Sequence, residues 1–305
     1  MAITFYKKIK YFNCLDIITL LYIFITGLFI LYGYQKISNF QQHLLIRLLF
    51  IMISISFIYL NNKYNSNFLN FLRHTYPVFF LLYFYGETYF LNNIFFNYFD
   101  SFIIRLESKI FGFLPSEVFH SQFNLRLISE IMHFGYFSFY LIIAFFVLTY
   151  YFQFPYLYHR RMFSFLFSFY LFYLIFIIFP TAGPQFFIQT PEDLPQGYLF
   201  TNLVHRIIEK ADNPTGAFPS SHVGMTCIIM LWLFKDFKKA FFFWLPIALT
   251  LILSTVYIRA HYAIDVIASL IIFPLFIKLS EKFYLLLNIE ITYQESFIFI
   301  QKNNN

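Results

Sequence analysis

The stretch Gly216-Ala217-Phe218-Pro219-Ser220-Ser221-His222-Val223-Gly224 is a compact polar turn, punctuated by glycine and proline, that runs straight into an apolar segment. A second polar stretch, Ser254-Thr255-Val256-Tyr257-Ile258-Arg259-Ala260-His261-Tyr262-Ala263-Ile264-Asp265, opens another apolar segment with a histidine and an aspartate four residues apart. Long apolar runs surround both. They decide the fold class: an all-α, polytopic helical membrane protein, whose frame carries two polar turns.

Composition points the same way. Of the 305 residues, 60% are hydrophobic and only 12% charged, where a soluble domain carries about a quarter of its residues as charges. The formal charge of +6 is therefore read by where the basic residues fall along a bilayer, and no nucleic-acid partner is expected. Without an internal repeat or long linker, residues 1–305 read as a single membrane domain, with 180–270 carrying the chemistry-bearing motifs. Cys14 and Cys227 lack metal-ligand spacing and fall at opposite faces, which argues against a disulfide. Lys7, Lys8 and Lys10 precede an apolar run from about Leu15 to Tyr34, too long for a signal-peptide core and followed by no small-residue cleavage site. A retained first transmembrane helix is the expectation.

Eight spans are expected, near 15–34, 44–60, 76–91, 131–152, 162–180, 222–237, 240–257 and 261–280. The segment 92–130 is too polar to span and too apolar to be a free loop. From Asn97-Tyr98-Phe99-Asp100 to Phe111-Gly112-Phe113-Leu114-Pro115-Ser116 it reads as one or two interfacial amphipathic helices. The tail after Glu281 is expected to be peripheral, with Asn303 to Asn305 fraying. Eight crossings put Lys7, Lys8, Lys10, Lys63, Arg73, Arg160, Arg161, Lys235, Lys238, Lys239, Lys278 and Lys282 on one side. The other side collects Lys36, Arg105, Lys109, Arg126, Arg206, Lys210 and Arg259. The richer side is expected to be cytoplasmic, with both termini, leaving the polar turns facing outward. Between Val223 and Tyr257 the chain must cross and return, which leaves about 15 residues, or roughly 22 Å of helix, per crossing. Against a hydrocarbon core of about 30 Å, that brings His222 and His261 together slightly below the outward surface.

Asp265 sits inside an apolar helix, where an ionisable group is costly and marks function by default. His261 lies one turn before it, and Tyr257 one turn before that, so the three are expected to form one helical stripe. A carboxylate accepting from one imidazole nitrogen fixes the tautomer and leaves the other free as a nucleophile or base. A buried ion pair tying helices together is the alternative for the same spacing. In the first turn, Ser220 and Ser221 occupy a helix-capping position, and the free amides beyond them favour an anion. A phosphate resting there would meet His222 as a proton donor. The alternative is a capped helix start whose histidine only contacts headgroups.

Gly-Ala-Phe-Pro-Ser-x-His, followed some forty residues later by Ser-Thr-x-Tyr-x-x-x-His-Tyr-x-x-Asp, resembles the type 2 phosphatidic acid phosphatase superfamily. Within it, the pattern is similar to the branch of the aureobasidin-sensitive inositol phosphorylceramide synthases and their bacterial relatives. The resemblance covers roughly residues 180–270. It implies a six-helix phosphatase-like core, lipid-phosphate or phospholipid substrates in the bilayer, no cofactor or metal, and transfer through a phosphohistidine. Carried over, His261 is the nucleophile, Asp265 its orienting partner and His222 the general acid, with Ser220 and its neighbouring backbone on the phosphate oxygens. Thr255 stands where the superfamily usually has an arginine, as in the synthase branch, and Ser221 stands where a glycine is common. The first motif, Lys-x6-Arg-Pro, is absent; Phe179-Pro180-Thr181-Ala182-Gly183-Pro184-Gln185 is the candidate replacement.

A phosphorane-like transition state gathers charge on its equatorial oxygens and requires positive groups. Arg206, Lys210, Arg126 and Arg259 are the candidates on the site side, with Ser221, Tyr257 and Gln185 as further substrate contacts. Arg259, two residues before His261, reaches the site only if its segment is a loop. Glu130 and His133 read either as headgroup-pocket residues or as an ion pair where their helix begins. The function classes are a lipid phosphatase or phosphotransferase, including an inositol-phosphate-type headgroup transferase, and a non-catalytic lipid-binding membrane protein. A channel is disfavoured, because the polar residues gather at one face and line no path across.

Overall fold

The computed structural model describes the backbone of residues 12–64, 66–188, 197–211 and 213–302. Lys7, Lys8, Lys10, Asn303 to Asn305 and the side chain of Lys210 lie outside the described residues. Among the described residues twelve helices run in order: α1 (Cys14–Tyr32), α2 (Phe40–Tyr64), α3 (Asn67–Leu91), α4 (Asp100–Phe111), α5 (Pro115–Gln122), α6 (Arg126–Phe152), α7 (Pro155–Ile178), the single turn α8 (Pro184–Phe187), α9 (Leu199–Ala211), α10 (Ser221–Asp236), α11 (Lys238–Tyr257) and α12 (Ala263–Lys302). No strand occurs among the described residues. The fold is all-α and polytopic, as expected.

Among the described residues six helices are long and apolar enough to cross a membrane: α1, α2, α6, α7, α11 and α12 over Ala263–Leu287. The two other expected spans fall short for different reasons. α10 has only 16 residues, in keeping with the short crossing inferred above. α3 has 25 residues, but Asn67, Asn70, Arg73 and Glu87 dilute its apolar character. It begins at Asn67, where Ser66 Oγ accepts from Leu69 N at 3.1 Å, rather than near 76. Pro77 lies inside the helix, which runs through it. The segment 92–130 forms two short helices, α4 and α5, as anticipated.

α7 is the axis of the bundle. Phenylalanine, tyrosine and leucine occupy all its sides, and it is buried on nearly all of them, the pattern of a helix enclosed by others. α1, α3, α6, α10 and α12 all pack on it. α2, by contrast, keeps most of its length exposed and leans on α1 and α3. Several charged residues within the frame are paired. Glu87 of α3 accepts from His43 Nδ1 at 3.0 Å and from Arg47, both on α2. At the other end, Arg73 holds Asp16 at 3.0 Å and Arg161 holds Asp236 at 2.7 Å. Buried charges in an apolar setting need such partners. Cys14 and Cys227 are both free thiols.

Candidate active site

Two seams place the polar turns side by side. Ser220 caps α10, its Oγ accepting from Val223 N at 3.3 Å, so the side chain after Ser221 emerges at the helix mouth. α12 is held against this cap by two hydrogen bonds: Ser220 N donates to Asp265 O at 3.2 Å, and Ser269 Oγ donates to Ser220 O at 2.7 Å. His222 and His261 thereby meet, with Nδ1 of the first 3.3 Å from Nε2 of the second.

The His261 tautomer follows from its other neighbour. Nδ1 lies 2.8 Å from the carbonyl oxygen of Ala217. A carbonyl only accepts, so Nδ1 carries the hydrogen and Nε2 presents its lone pair. His222 Nδ1, facing that lone pair, is then the donor. The proton lies on the His222 side and the electron pair on the His261 side. Asp265 Oδ2 stands 3.6 Å from the same Nδ1, beyond hydrogen-bond distance, and instead accepts from Tyr262 N at 2.8 Å. The orienting bond expected of Asp265 thus goes to the backbone of the first turn. The carboxylate, fully buried, remains close enough to favour an imidazolium.

The expected Tyr257–His261–Asp265 stripe does not form, because the helix breaks. α11 ends at Tyr257 and α12 begins at Ala263. Between them Arg259 takes a left-handed conformation, φ +65°. Tyr257 points away from the two histidines: its hydroxyl donates to Phe123 O at 3.2 Å and its ring packs on His120. Arg259 lies in the loop, as its reach required, is buried, and donates from one guanidinium nitrogen to Ile188 O at 3.0 Å. Arg206 and Arg126 are exposed. Thr255, at the usual arginine position, gives its hydroxyl to Ile252 O at 2.8 Å within α11. Ser221 is buried in the first turn of α10, beside His222.

The replacement for the missing first motif braces both turns. Thr181 accepts from Ala217 N at 3.2 Å through its carbonyl and from Phe218 N at 2.6 Å through Oγ1. Gln185 N donates to Arg259 O at 3.0 Å. Gly183, at φ +103°, sits so close under the second turn that an added Cβ would lie 2.7 Å from Ala260 O. Among the described residues Glu130 and His133 do not form an ion pair with each other. The Glu130 carboxylate takes the amides of Tyr198, Phe200 and Thr201, capping α9, while His133 Nδ1 donates to Ser129 O at 2.7 Å.

Sequence reasoning missed several residues. Tyr136 and Phe139 of α6 enclose the His222 ring at 4.7 and 4.3 Å between centroids. Asp100 of α4 accepts from the amides of Ala182 and Gly183, at 2.9 and 2.8 Å, and from Tyr262 Oη at 3.0 Å. Burial pushes its carboxyl above the usual range, with these donors opposing. Glu107 reaches Ile264 N at 3.1 Å.

An apolar cavity of about 630 Å³ begins at Ser221 and His222 and runs between α3 and α6 down to Phe71 and Leu148. Each of these helices packs on α7, whose Phe169 and Tyr173 form the floor. The wall residues Phe79 and Leu82 are largely exposed, so the cavity opens sideways between the helices. From Tyr136 to Leu148 it follows about 18 Å of α6.

No curated protein and no solved structure matches the chain. A family model described as the PAP2 superfamily matches residues 101–279, from α4 through most of the apolar length of α12. That stretch is more than half of the chain and encloses both polar turns, so the protein belongs to the PAP2 superfamily.

Proposed function

We propose that the protein moves a phosphoryl or phospho-headgroup from a membrane lipid, with His261 as nucleophile and His222 as general acid. Membership of the PAP2 superfamily points to phosphatase or phosphotransferase activity in general. The observation that supports these two roles is the polarity of the pair: the lone pair on His261 Nε2 faces the hydrogen on His222 Nδ1 across 3.3 Å. In the forward step Nε2 attacks phosphorus, an N–P bond forms, the P–O ester bond breaks, and the leaving oxygen takes the His222 proton. The acceptor then attacks phosphorus, the N–P bond breaks and His222 is reprotonated. Water as acceptor releases phosphate; a lipid hydroxyl gives a new phospholipid, the course of the inositol phosphorylceramide synthase branch. The free amides after Ser220 and the positive end of α10 favour the phosphate oxygens. Asp265 stabilises the charged imidazole of the intermediate.

The sideways-opening cavity supports a lipid over a soluble ester, since its end coincides with His222. The basic residues at the opposite helix ends, Lys235, Lys238 and Lys239 among them, support an outward-facing site with cytoplasmic termini. The test is purified protein in vesicles carrying a panel of phospholipids and lipid phosphates, with free phosphate counted against new phospholipid. Turnover persisting in EDTA is expected; a strict metal requirement would sink the phosphohistidine route.

The cavity itself is tested at Gly86. This residue lines it, and an added Cβ meets nothing within 4 Å. Gly86→Leu puts bulk into the groove from a position where its Cβ has room, and it raises helix propensity. A lipid chain displaced there misplaces its phosphate, and a shift of about 1 Å costs about a hundred-fold. We expect at least about a ten-fold loss of kcat/KM on long-chain lipids, with para-nitrophenyl phosphate turned over as before. Equal loss on both substrates would remove the cavity from the reading.

A further inference from the structure

α4 lies outside the two motif turns, yet its buried face touches the end of the second one, at Tyr262 and Ile264. Asp100, Ile103 and Glu107, at helical spacing, are its three buried side chains. Asp100 gathers the 182–183 backbone and Tyr262, as described above. Glu107 has its Oε1 3.1 Å from Ile264 N, and its carboxylate is fully buried. Ile264 belongs to the first turn of α12, three residues after His261 and one before Asp265. First-turn amides have no acceptor within their own helix. Tyr262, which precedes α12, has no short polar side chain to supply one, and Asp265 spends Oδ2 on Tyr262 N. The acceptor comes from a different helix.

We propose that Glu107 is a positioning residue: its carboxylate, reaching over from α4, fixes the first turn of α12 and with it the direction of the His261 imidazole. The idea needs no contact between Glu107 and substrate. It explains why an interfacial helix carries a buried acid beside a site that receives an anion. Asp265 of α12 is the charged group facing Glu107; Asp100 and Tyr262 complete the cluster, and Arg105 and Lys109 of α4 are exposed. Glu107 Oε2 and Asp265 Oδ1 are each buried without a hydrogen-bond partner. Two ionised carboxylates so placed repel one another. Burial first, and Asp265 second, raise the Glu107 carboxyl from 4.5 to about 7, against the pull of the Ile264 amide. A carboxyl raised in the folded state favours folding while protonated, so that contribution is full below about 4.5 and is lost as the pH rises through about 7.

Glu107→Gln keeps an acceptor oxygen for Ile264 N without the charge; Glu107→Ala removes both. Hydrogen exchange over residues 258–266 is expected to quicken in Glu107→Ala and to stay near wild type in Glu107→Gln. On the lipid substrate, kcat is expected to fall between about ten- and a hundred-fold in the alanine variant, with KM moving less than about two-fold, and glutamine is expected to restore most of it. The thermal midpoint of Glu107→Gln is expected to gain on wild type as the pH climbs from about 4.5 to about 7. The kinetic arm rests on His261 as nucleophile, whereas the exchange and thermal arms do not. A His261→Ala protein that stays active would sink the phosphohistidine reading alone. An alanine variant that exchanges and turns over like wild type, a glutamine variant no better than alanine, or a thermal difference independent of pH would each overturn the role of Glu107.

Discussion

His261→Ala should lose phosphoryl transfer outright: no turnover of any lipid, and no acid-labile phosphate on the protein. Removing the atom that forms the covalent bond costs on the order of 10⁴- to 10⁶-fold, because no other group inherits its place. The fold is expected to survive. The seams that seat α12 on α10 run through Ser220, Ser269 and the Asp265 carbonyl, none of which uses the imidazole. What is lost locally is the donor to Ala217 O, a buried backbone acceptor. The partner experiment is His222→Ala. Its proton matters only when the leaving oxygen needs one, so the variant should fail on lipid alkoxide leaving groups and lose far less on para-nitrophenyl phosphate. Labelling of wild type and of His222→Ala by the nitrophenyl ester, but not of His261→Ala, would be the full expected pattern. Label persisting in His261→Ala would move the nucleophile elsewhere.

Gly183→Ala should be the most damaging change that touches no reacting group. Two costs combine. At φ +103° and ψ 163° an L-residue is strained, by about 1–3 kcal/mol for a backbone region that essentially only glycine adopts. The new Cβ would also stand 2.7 Å from Ala260 O, a backbone atom that cannot swing aside. Relief comes only if one strand of backbone moves, and Ala260 is bonded directly to His261. A displacement of about 1 Å at a reacting group costs about a hundred-fold in rate, which is the expected fall in kcat. The protein should keep its helical circular dichroism, since Gly183 lies in no long helix. Single-turnover labelling of His261 should be slow but complete. A variant with wild-type rates would show that the 181–184 loop does not set the position of the second turn.

The sequence made the pairing of His222 with His261 legible, because two independent signals agreed. The motif spacing named the residues, and the length of chain between them allowed only a short crossing and return. Fold class was equally legible, since apolar runs of spanning length admit few other solutions. What escaped was anything that depends on backbone acceptors and donors. The Nδ1 partner of His261 is the Ala217 carbonyl, which every residue type possesses, so no side-chain pattern could mark it. Asp100 and Glu107 recognise amide groups for the same reason. Their spacing with Ile103 was visible, but an amphipathic helix at an interface shows acids on one face without any site nearby. The direction of Tyr257 was misread because a period of four residues was carried across a helix break, and a left-handed arginine is not a residue that sequence marks as a breaker.

The groove beside His222 is built from two sources. Its α6 wall and α7 floor fall within the stretch that matches the superfamily, whereas its α3 wall precedes residue 101 and lies outside that match. On the proposed function, the two histidines lie wholly within the matched stretch, whereas one wall of the groove that would hold the lipid lies outside it. Substitutions along Phe79, Leu82 and Gly86 are free to drift under selection for a new lipid while the two histidines stay fixed. If that wall selects the lipid, a protein with the same two turns but a different first third is expected to prefer a different substrate.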